Sequence, residues 1–360
     1  MSTENKKSSR VQLIDVVKSF GDNTVLHNID LDIKAGSLTT LLGPSGCGKT
    51  TILRLIAGLE LPTSGKVILG DEDVSVLSAS QRDVAMVFQS YALFPHMTVG
   101  ENVGYGLKMQ GIGKEERKVQ VKKALNSVGL DGFQDRYIDQ MSGGQQQRVA
   151  VARALILKPK VMLFDEPLSN LDSKLRRQMR EDIRRLQQEL GITSVYVTHD
   201  QDEALAVSDD VVVVRDGIIA QQGSPKELYL QPNSKFVATF MGDANIVQGK
   251  VIEVGKISRL KIDDVEIETD KPMTDELLDK TIEIAIRPEA LSLMSVDETK
   301  RAGLDCKIVS KAYIGSAIEY SVEWRDQELF LVSATGTQEF NIGDSAKVLI
   351  TPPGIAPIPE

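Results

Sequence analysis

The sequence has little of what would direct it to a disulfide-rich scaffold, to a zinc site or to nucleic acid. Among its 360 residues only two are cysteine, Cys47 and Cys306, and they stand far apart in no metal-ligand spacing. Lysine and arginine number 42 against 51 aspartate and glutamate residues, for a formal net charge of −9. An acidic chain neutralises phosphates poorly. We therefore expect a reducing compartment and no nucleic-acid partner.

Long apolar runs are also missing from the sequence. Residues 1–10 lack the apolar core of a signal peptide, and no later stretch reaches the length that a membrane-spanning helix needs. We therefore expect a protein that is soluble by itself and reaches a membrane only through a partner. A chain of 360 residues is long enough for two domains.

A glycine-rich segment is the most informative motif that is present. Its eight residues are Gly43, Pro44, Ser45, Gly46, Cys47, Gly48, Lys49 and Thr50. Their spacing, G-x-x-x-x-G-K-T, is typical of a loop that wraps a polyphosphate. An apolar strand precedes the loop, and an amphipathic helix with Ile52, Leu53, Ile56 and Leu59 on one face follows it, a context that disfavours a chance match. Backbone N–H groups and the positive end of the helix dipole then face the anion.

Five polar side chains complete the predicted chemistry around a triphosphate. Lys49 is expected on the β- and γ-phosphates and Thr50 on magnesium. Asp165 and Glu166 end an apolar strand, so we expect Asp165 near magnesium and Glu166 near the attacking water. His199 also follows a strand and is expected to hydrogen-bond the γ-phosphate. Taken alone, the acidic pair is more often an ordinary strand-ending turn and a lone histidine at a strand end is more often structural. The phosphate loop favours the functional interpretation of the pair, and the position of His199 beside Asp200 favours that of the histidine.

Gln89 ends the apolar segment 84–88, where the chain passes into a helical region. Its neutral amide can contact magnesium or water without altering the charge of the site. A single glutamine carries little information. Its location makes it a candidate for coupling the nucleotide to that helical region.

A second glycine-rich segment opens another predicted helix. It consists of Ser142, Gly143, Gly144 and Gln145. One nucleotide does not need two phosphate cradles from the same chain, so this segment is expected to close over the nucleotide of a second copy. Two chains would then enclose two ATP molecules. The alternative is an ordinary helix start, with Ser142 as the N-cap and flexible glycines after it.

The pattern of apolar segments predicts two domains. Residues 11–33 are typical of a β-hairpin region. From there to about residue 242, apolar strands at 38–42, 161–164, 194–197 and 211–214 alternate with helices, as in an α/β domain with a parallel sheet. A charged helical insertion occupies about residues 90–158. Over 243–360 the pattern changes to short alternating strands, expected at 247–254, 259–267, 281–286, 306–311, 318–324, 328–332 and 346–350. The sequence therefore predicts an α/β domain over 1–242 and a β-rich domain over 243–360. The second could be a small barrel, a sandwich-like domain or two tandem barrels.

In this order the motifs resemble those of the ATP-binding cassette (ABC) subunit of an importer. The matching segments are Walker A at 43–50, the Q-loop at Gln89, the signature at 142–145, Walker B at 161–166, the D-loop at 169–172 and the switch histidine His199. The resemblance implies a P-loop ATPase fold with a helical subdomain and a homodimer. It also implies membrane permease subunits as partners, an extracytoplasmic solute-binding protein as an indirect one, and a position on the cytoplasmic face of the inner membrane.

Specific roles follow from the resemblance residue by residue. It implies ATP and Mg²⁺ as cofactors and stacking of Phe20 on adenine, and it adds Thr51 to the nucleotide contacts. The implied metal contacts are Thr50, Gln89 and Asp165. The implied catalytic residues are Glu166, His199, Lys49 and Gln89.

The β-rich part is similar to the OB-like regulatory domain of importers for sugars, polyamines or ferric iron. Residues 286–289 resemble a recurrent turn of that domain. Segments 89–109, 143–172 and 240–245 favour the ferric-iron import ATPases, and import of 2-aminoethylphosphonate, polyamines or sugars is the alternative. The aromatic stretch 91–105 is a candidate groove for a permease helix, or part of the subdomain core. A soluble ABC ATPase without a transport role and a nucleotide-regulated binding module are rivals of different classes.

Overall fold

The computed structural model describes residues 8–269, 271, 273–296 and 302–358. The chain divides into two compact units between Pro225 and Lys226. In the first unit the described strands are β1 (Val11–Phe20), β2 (Asn23–Ile33), β3 (Leu38–Leu42), β4 (Ser64–Leu69), β5 (Glu72–Asp73), β6 (Val84–Val87), β7 (Val161–Asp165), β8 (Thr193–Thr198), β9 (Asp210–Arg215) and β10 (Ile218–Gly223). Its helices are α1 (Lys49–Ala57), α2 (Val99–Met109), α3 (Lys114–Ser127), α4 (Gly143–Leu155), α5 (Ser173–Leu190) and α6 (Gln201–Val207).

A six-stranded sheet in the order β10-β9-β3-β8-β7-β6 forms the centre of the first unit. All of its strands are parallel except β10, which pairs antiparallel with β9. Every residue of β3 and of β8 is buried. Such continuous burial is expected where both faces of a parallel sheet are covered. The predicted α/β domain with a parallel sheet is confirmed.

Helix α1 follows the predicted apolar pattern only as far as its C-terminus. Ile52, Leu53 and Ile56 are fully buried, whereas Leu59, which we placed on the same face, is 48% exposed. The helix ends at Ala57 because Gly58 adopts a φ of 74°, the left-handed conformation of a glycine cap. Leu59 therefore lies beyond the helix, and its prediction was wrong.

The predicted helical insertion is present as α2, α3 and α4. Val103, Leu125 and Val149 contribute one residue from each helix to a shared apolar core. Asn102 is fully buried, and its amide nitrogen donates to the carbonyl oxygens of Phe94 and Thr98 at 3.0 Å each. A buried amide whose donors are satisfied fixes the loop that leads into α2. Around the large sheet, strands β1 and β2 form the predicted hairpin within a separate antiparallel sheet, β2-β1-β4-β5.

The second unit is β-rich, as predicted. Helix α7 (Pro225–Leu230) starts at the division and α8 (Lys235–Phe240) follows. The described strands are β11 (Asn245–Glu253), β12 (Ser258–Ile262), β13 (Val265–Thr269), β14 (Thr281–Ile286), β15 (Leu291–Ser295), β16 (Leu304–Tyr313), β17 (Ala317–Trp324), β18 (Gln327–Ala334), β19 (Ser345–Ile350) and β20 (Ile355–Pro357). They form two five-stranded antiparallel sheets, β13-β12-β11-β14-β20 and β15-β19-β16-β17-β18, over one common core. The described residues of this second unit thus form one domain and not two tandem barrels.

Arg287 explains why the division falls before the boundary that we expect near residue 243. Its side chain is 2% exposed and donates to the carbonyl oxygens of Tyr229 at 3.0 Å and Ala238 at 2.8 Å. Its guanidinium also lies 3.9 Å from the centre of the Tyr229 ring. Burial lowers the pKa of Arg287, and the carbonyls offset part of that cost. The two short helices therefore pack with the β-rich unit.

Replacing Arg287 by methionine should destabilise the second unit selectively. The aliphatic stem is kept, but two buried carbonyl groups lose their donors, so the free energy of unfolding should fall by about 3 kcal/mol. Trp324 is the only tryptophan of the sequence and lies in this unit, so its fluorescence during denaturant unfolding reports the change. Arg259→Met, which removes an exposed arginine, is the control and should cost less than about 1 kcal/mol. Equal losses would contradict the role of Arg287.

Candidate functional site

The phosphate loop between β3 and α1 requires glycine at fixed points. Gly46 and Gly48 have φ values of 80° and 109°, where residues with a Cβ atom are strained. A Cβ on Gly43 would lie 2.2 Å from the carbonyl oxygen of Val214. The loop therefore passes so close to strand β9 that only glycine fits at position 43.

The first turn of α1 presents its N–H groups to this loop. Gly48 caps the helix without a side-chain hydrogen bond, and Lys49, Thr50 and Thr51 begin the helix. Five other described helices begin with a side chain that accepts from their first turn, and α3, which follows Gly113, does not. The five side chains are those of Thr98, Ser142, Asp172, Asp200 and Ser234. The N-terminus of α1 is thus suited to an anion such as phosphate, which supplies the missing acceptors.

Lys49 is buried inside the loop, with 5% of its surface exposed. Its Nζ donates to the carbonyl oxygens of Gly43 and Pro44 at 2.8 Å each and lies 3.8 Å from the Sγ of Cys47. Within the part of the chain that the structure describes, no carboxylate forms an ion pair with it. A buried cation held only by carbonyl oxygens makes the loop electropositive, as phosphate binding requires.

Thr50 and Asp165 bring two oxygen ligands together beside the loop. The Oγ1 of Thr50 donates to Oδ1 of Asp165 over 3.4 Å. Burial raises the pKa of Asp165, and the nearby Glu166 carboxylate adds to the rise. A hydroxyl and a carboxylate at this spacing are the ligands that Mg²⁺ prefers, and a cation there would favour the ionised form of Asp165.

Glu166 and His199 lie side by side at the same edge of the sheet. Glu166 has a φ of 43° and its N–H donates to the carbonyl oxygen of Val197 over 3.1 Å. This conformation directs its Oε2 to within 3.3 Å of His199 Nδ1. The side chain of His199 is 60% exposed and that of Glu166 is 24% exposed. Both groups therefore remain accessible to a substrate and to water.

The D-loop connects Gln89 to Glu166. Gln89 Nε2 donates to Oγ of Ser169 over 3.2 Å, and that hydroxyl donates to the carbonyl oxygen of Glu166 over 3.0 Å. Asn170 Nδ2 donates to the carbonyl oxygen of Gln89 over 3.1 Å. Ser169 and Asn170 lie in the D-loop segment 169–172, but no individual role was predicted for either residue. A serine or asparagine after a strand carries no signal of a contact with a residue 80 positions away.

Glu203 supports the loop that carries His199, and it was not predicted either. It is 4% exposed and accepts hydrogen bonds from Tyr196 OH at 3.0 Å and Thr198 Oγ1 at 2.9 Å. Burial raises its pKa. The alternation of Tyr196 and Thr198 on one face of β8 was the only signal in the sequence. Glu203 is a positioning residue, since it contacts the strand and not the site itself.

The signature segment opens α4 as a capping box. Ser142 Oγ accepts from the Gln145 backbone N–H over 3.4 Å, and Gln145 Oε1 accepts from the Ser142 N–H over 3.0 Å. A Cβ on Gly144 would lie 2.8 Å from Leu175 of α5, and one on Gly143 would lie 3.3 Å from Leu171. The N-cap that we weighed as the alternative is therefore present. The contact with the nucleotide of a second copy stays a prediction.

Phe20 is exposed, whereas Tyr91, the first residue of the aromatic stretch 91–105, is buried. Phe20 ends β1 with its ring 46% exposed and Lys18 Nζ 4.5 Å from its centre, so it is accessible for stacking. Tyr91, in contrast, is 6% exposed and packs in the core, so it cannot line a groove. A cleft of about 810 Å³ does lie between α2 and α3, and its lining includes Met97, Glu101, Tyr105, Lys108, Lys118 and Val121.

No helix among the described residues is long and apolar enough to span a membrane.

Comparison with known proteins agrees with this geometry. The family model of the ABC transporter matches residues 26–169, and that of the TOBE domain matches residues 284–355. A dimeric post-hydrolysis structure of the ATP-binding cassette MJ0796 with ADP and Pi is 33% identical, with a TM-score of 0.54, over 60% of this chain and 98% of that one. CbiO1 from Clostridium perfringens, part of an ABC transporter complex, is 29% identical, with a TM-score of 0.57, over 61% of this chain and 90% of that one. Fold and site together define an ABC transporter ATPase.

Sequence identity to relatives that match nearly the whole chain assigns it to one family within the ABC transporter ATPases. The chain is 54% identical to the Fe(3+) ions import ATP-binding protein FbpC of Photobacterium profundum over 97% of both chains. It is 53% identical to that of Vibrio cholerae over 98% of this chain and 99% of the relative, and 53% identical to that of Escherichia coli K12 over 96% of both. The chain belongs to the family of Fe(3+) ions import ATP-binding proteins.

Substitution of Gly43 by alanine should close the phosphate loop to nucleotide. The new methyl group collides with the carbonyl oxygen of Val214, so the loop must move, and we expect at least a tenfold loss of ATP affinity, about 1.4 kcal/mol. Fluorescent ATP binding measures this loss. Gly132→Ala is the control, because Gly132 also has a positive φ but open space around its Cβ position. Unchanged affinity in Gly43→Ala would show that the close approach to β9 is not needed.

Proposed function

We propose that this protein is the ATP-hydrolysing subunit of a membrane importer of ferric iron. The observation that carries the hydrolytic part is the 3.3 Å contact between Glu166 and His199, at the sheet edge where Asp165 pairs with Thr50. The names of the relatives support the iron substrate. The soluble ATPase and the binding module that rivalled this function at first have no comparable support.

Nucleotide binding follows from the phosphate loop. The N–H groups of the first turn of α1, which include those of Thr50 and Thr51, hold the phosphate oxygens. Lys49 exchanges its bonds to the Gly43 and Pro44 carbonyls for bonds to the β- and γ-phosphates, which carry full charge. Phe20 provides the exposed aromatic surface on which adenine stacks.

The residues present also fit Mg²⁺, which would be held by Thr50, Asp165 and the amide oxygen of Gln89. When bound, the ion neutralises charge that develops on the β- and γ-phosphates. Glu166 orients the attacking water and accepts its proton as the oxygen–phosphorus bond forms. His199 donates a hydrogen bond to the γ-phosphate. The bond between the β- and γ-phosphates breaks, and ADP and inorganic phosphate leave.

A second copy of the chain completes each site. Ser142, Gly143, Gly144 and Gln145 of the second copy are proposed to cap the γ-phosphate with the hydroxyl and N–H groups of their helix start. The similar cassette MJ0796, whose structure with ADP and Pi is dimeric, supports this arrangement. ATP then draws two copies together, and hydrolysis removes the charge between them.

The partners of this dimer are membrane permease subunits. The cleft between α2 and α3 has room for a helix and carries both signs of charge, with Glu101 and Lys108 in its lining. Gln89 precedes this region in the chain and couples it to the nucleotide. We place the protein at the cytoplasmic face of the inner membrane, with an extracytoplasmic solute-binding protein delivering the cargo to the permease.

Glu166→Gln should abolish ATP turnover and leave nucleotide binding intact. The amide keeps the size of the side chain but accepts no proton, so kcat should fall by at least about a hundredfold. Phosphate release and fluorescent ATP binding measure the two effects separately. Glu181→Gln, an exposed carboxylate on α5, is the matched control. Normal turnover by Glu166→Gln would exclude Glu166 as the base.

The cargo is tested in vesicles that contain this subunit with its permease and binding protein. Uptake of radioactive ferric iron should depend on ATP and disappear with Glu166→Gln. The same vesicles are offered 2-aminoethylphosphonate, spermidine and maltose. ATP-dependent uptake of one of these without iron uptake would overturn the iron assignment and leave the ATPase role standing.

A further inference from the structure

The turn that follows Gln89 has an unfavourable backbone conformation. Tyr91 and Ala92 have φ values of 60° and 48°. Consecutive residues with a Cβ atom rarely adopt this left-handed conformation, because the Cβ approaches the following carbonyl oxygen. The Tyr91 N–H donates to the carbonyl oxygen of Phe88 over 2.8 Å, which closes the turn around Gln89. Strain of this kind persists only where the surroundings enforce it.

Arg153 of α4 enforces this conformation. Its Nη2 donates to the carbonyl oxygen of Tyr91 over 2.8 Å, and its Nη1 donates to that of Ala92 over 2.7 Å. The guanidinium also lies 5.7 Å from the centre of the Phe94 ring. A planar fork suits two neighbouring carbonyl groups, and a lysine ammonium does not reproduce that geometry. The helix that Ser142 opens therefore also holds the Gln89 turn.

Gln89 is held from its other side by the D-loop. Asn170 donates to its carbonyl oxygen, and its own amide donates to Ser169. The two attachments come from different elements, the D-loop and α4. A relaxed turn at Tyr91 and Ala92 would therefore change where the Gln89 amide lies, although the D-loop contacts remain available.

We propose that Arg153 is a positioning residue for ATP hydrolysis, which holds the strained turn at Tyr91 and Ala92 and so places Gln89 in the site. This inference rests on the role of Gln89 toward magnesium and water in the proposed function. It also makes the signature helix α4 a direct mechanical link to Gln89 within one chain. A shift of α4 is transmitted to the turn through the two hydrogen bonds of Arg153.

The test is a double-mutant cycle in the full-length chain. Arg153→Met keeps the aliphatic stem and the helix propensity but removes both donors. The kcat of ATP hydrolysis should fall by about tenfold, with KM changed by less than about twofold, because Gln89 is misplaced for catalysis more than for binding. Ala92→Gly removes strain at a φ that glycine adopts freely. Added to Arg153→Met, it should restore kcat by about fivefold.

Arg148→Met is the matched control on the same helix. Arg148 donates to Asp182 over 2.6 Å, so Ala92→Gly should restore nothing in that background. A kcat of Arg153→Met that is normal, or that Ala92→Gly does not raise, would overturn the positioning role. If thermal denaturation shows that Arg153→Met is not folded, the cycle is run with Arg153→Lys, which keeps the charge and loses the planar fork of donors. ATP turnover by Glu166→Gln is measured in parallel. Normal turnover by that variant would contradict the proposed function, whereas its loss would leave only the positioning role of Arg153 in question.

Discussion

The parallel pairing of β3 with β8, and of β8 with β7, is the constraint on which the site depends. Leu42 lies opposite Thr198 and Asp165 opposite Val197, so the three strands end at the same edge. The phosphate loop, the Asp165–Glu166 pair and His199 are the residues that follow those ends. They meet because the sheet is buried on both faces and its register is fixed by apolar packing. The chemistry of the site therefore follows from the order of three apolar strands.

Local sequence patterns predicted the elements whose signals are continuous. Strands β3, β7, β8 and β9 appear as apolar runs and lie where they were expected. In the second unit, residues 259–267 were predicted as one strand, but they form the hairpin of β12 and β13, whose turn contains Asp263 with a φ of 52°. Strands β15 and β20 were not predicted. Alternating patterns continue through short turns, so the turns leave little trace.

Motif residues were found because their spacing reflects a local need, such as glycine where the loop approaches β9. The residues that hold them in place were missed. Ser169 contacts Gln89 at a sequence separation of 80, and Arg153 contacts Tyr91 and Ala92 at sequence separations of 62 and 61. Such contacts depend on how distant segments pack, and no local pattern encodes them. Arg287 likewise bonds residues of the two short helices that lie about fifty positions or more before it.

The proposed mechanism depends most on a nucleotide shared between two copies of the chain. Copies carrying Glu166→Gln, which bind ATP, are mixed with differently tagged Lys49→Ala copies, and a photoreactive group on the γ-phosphate of an ATP analogue identifies its neighbour. Labelling of residues 142–145 on the Lys49→Ala copy is the expected result, because we propose that those residues cap the nucleotide of the other chain. Labelling confined to the copy that binds the analogue would contradict the composite site.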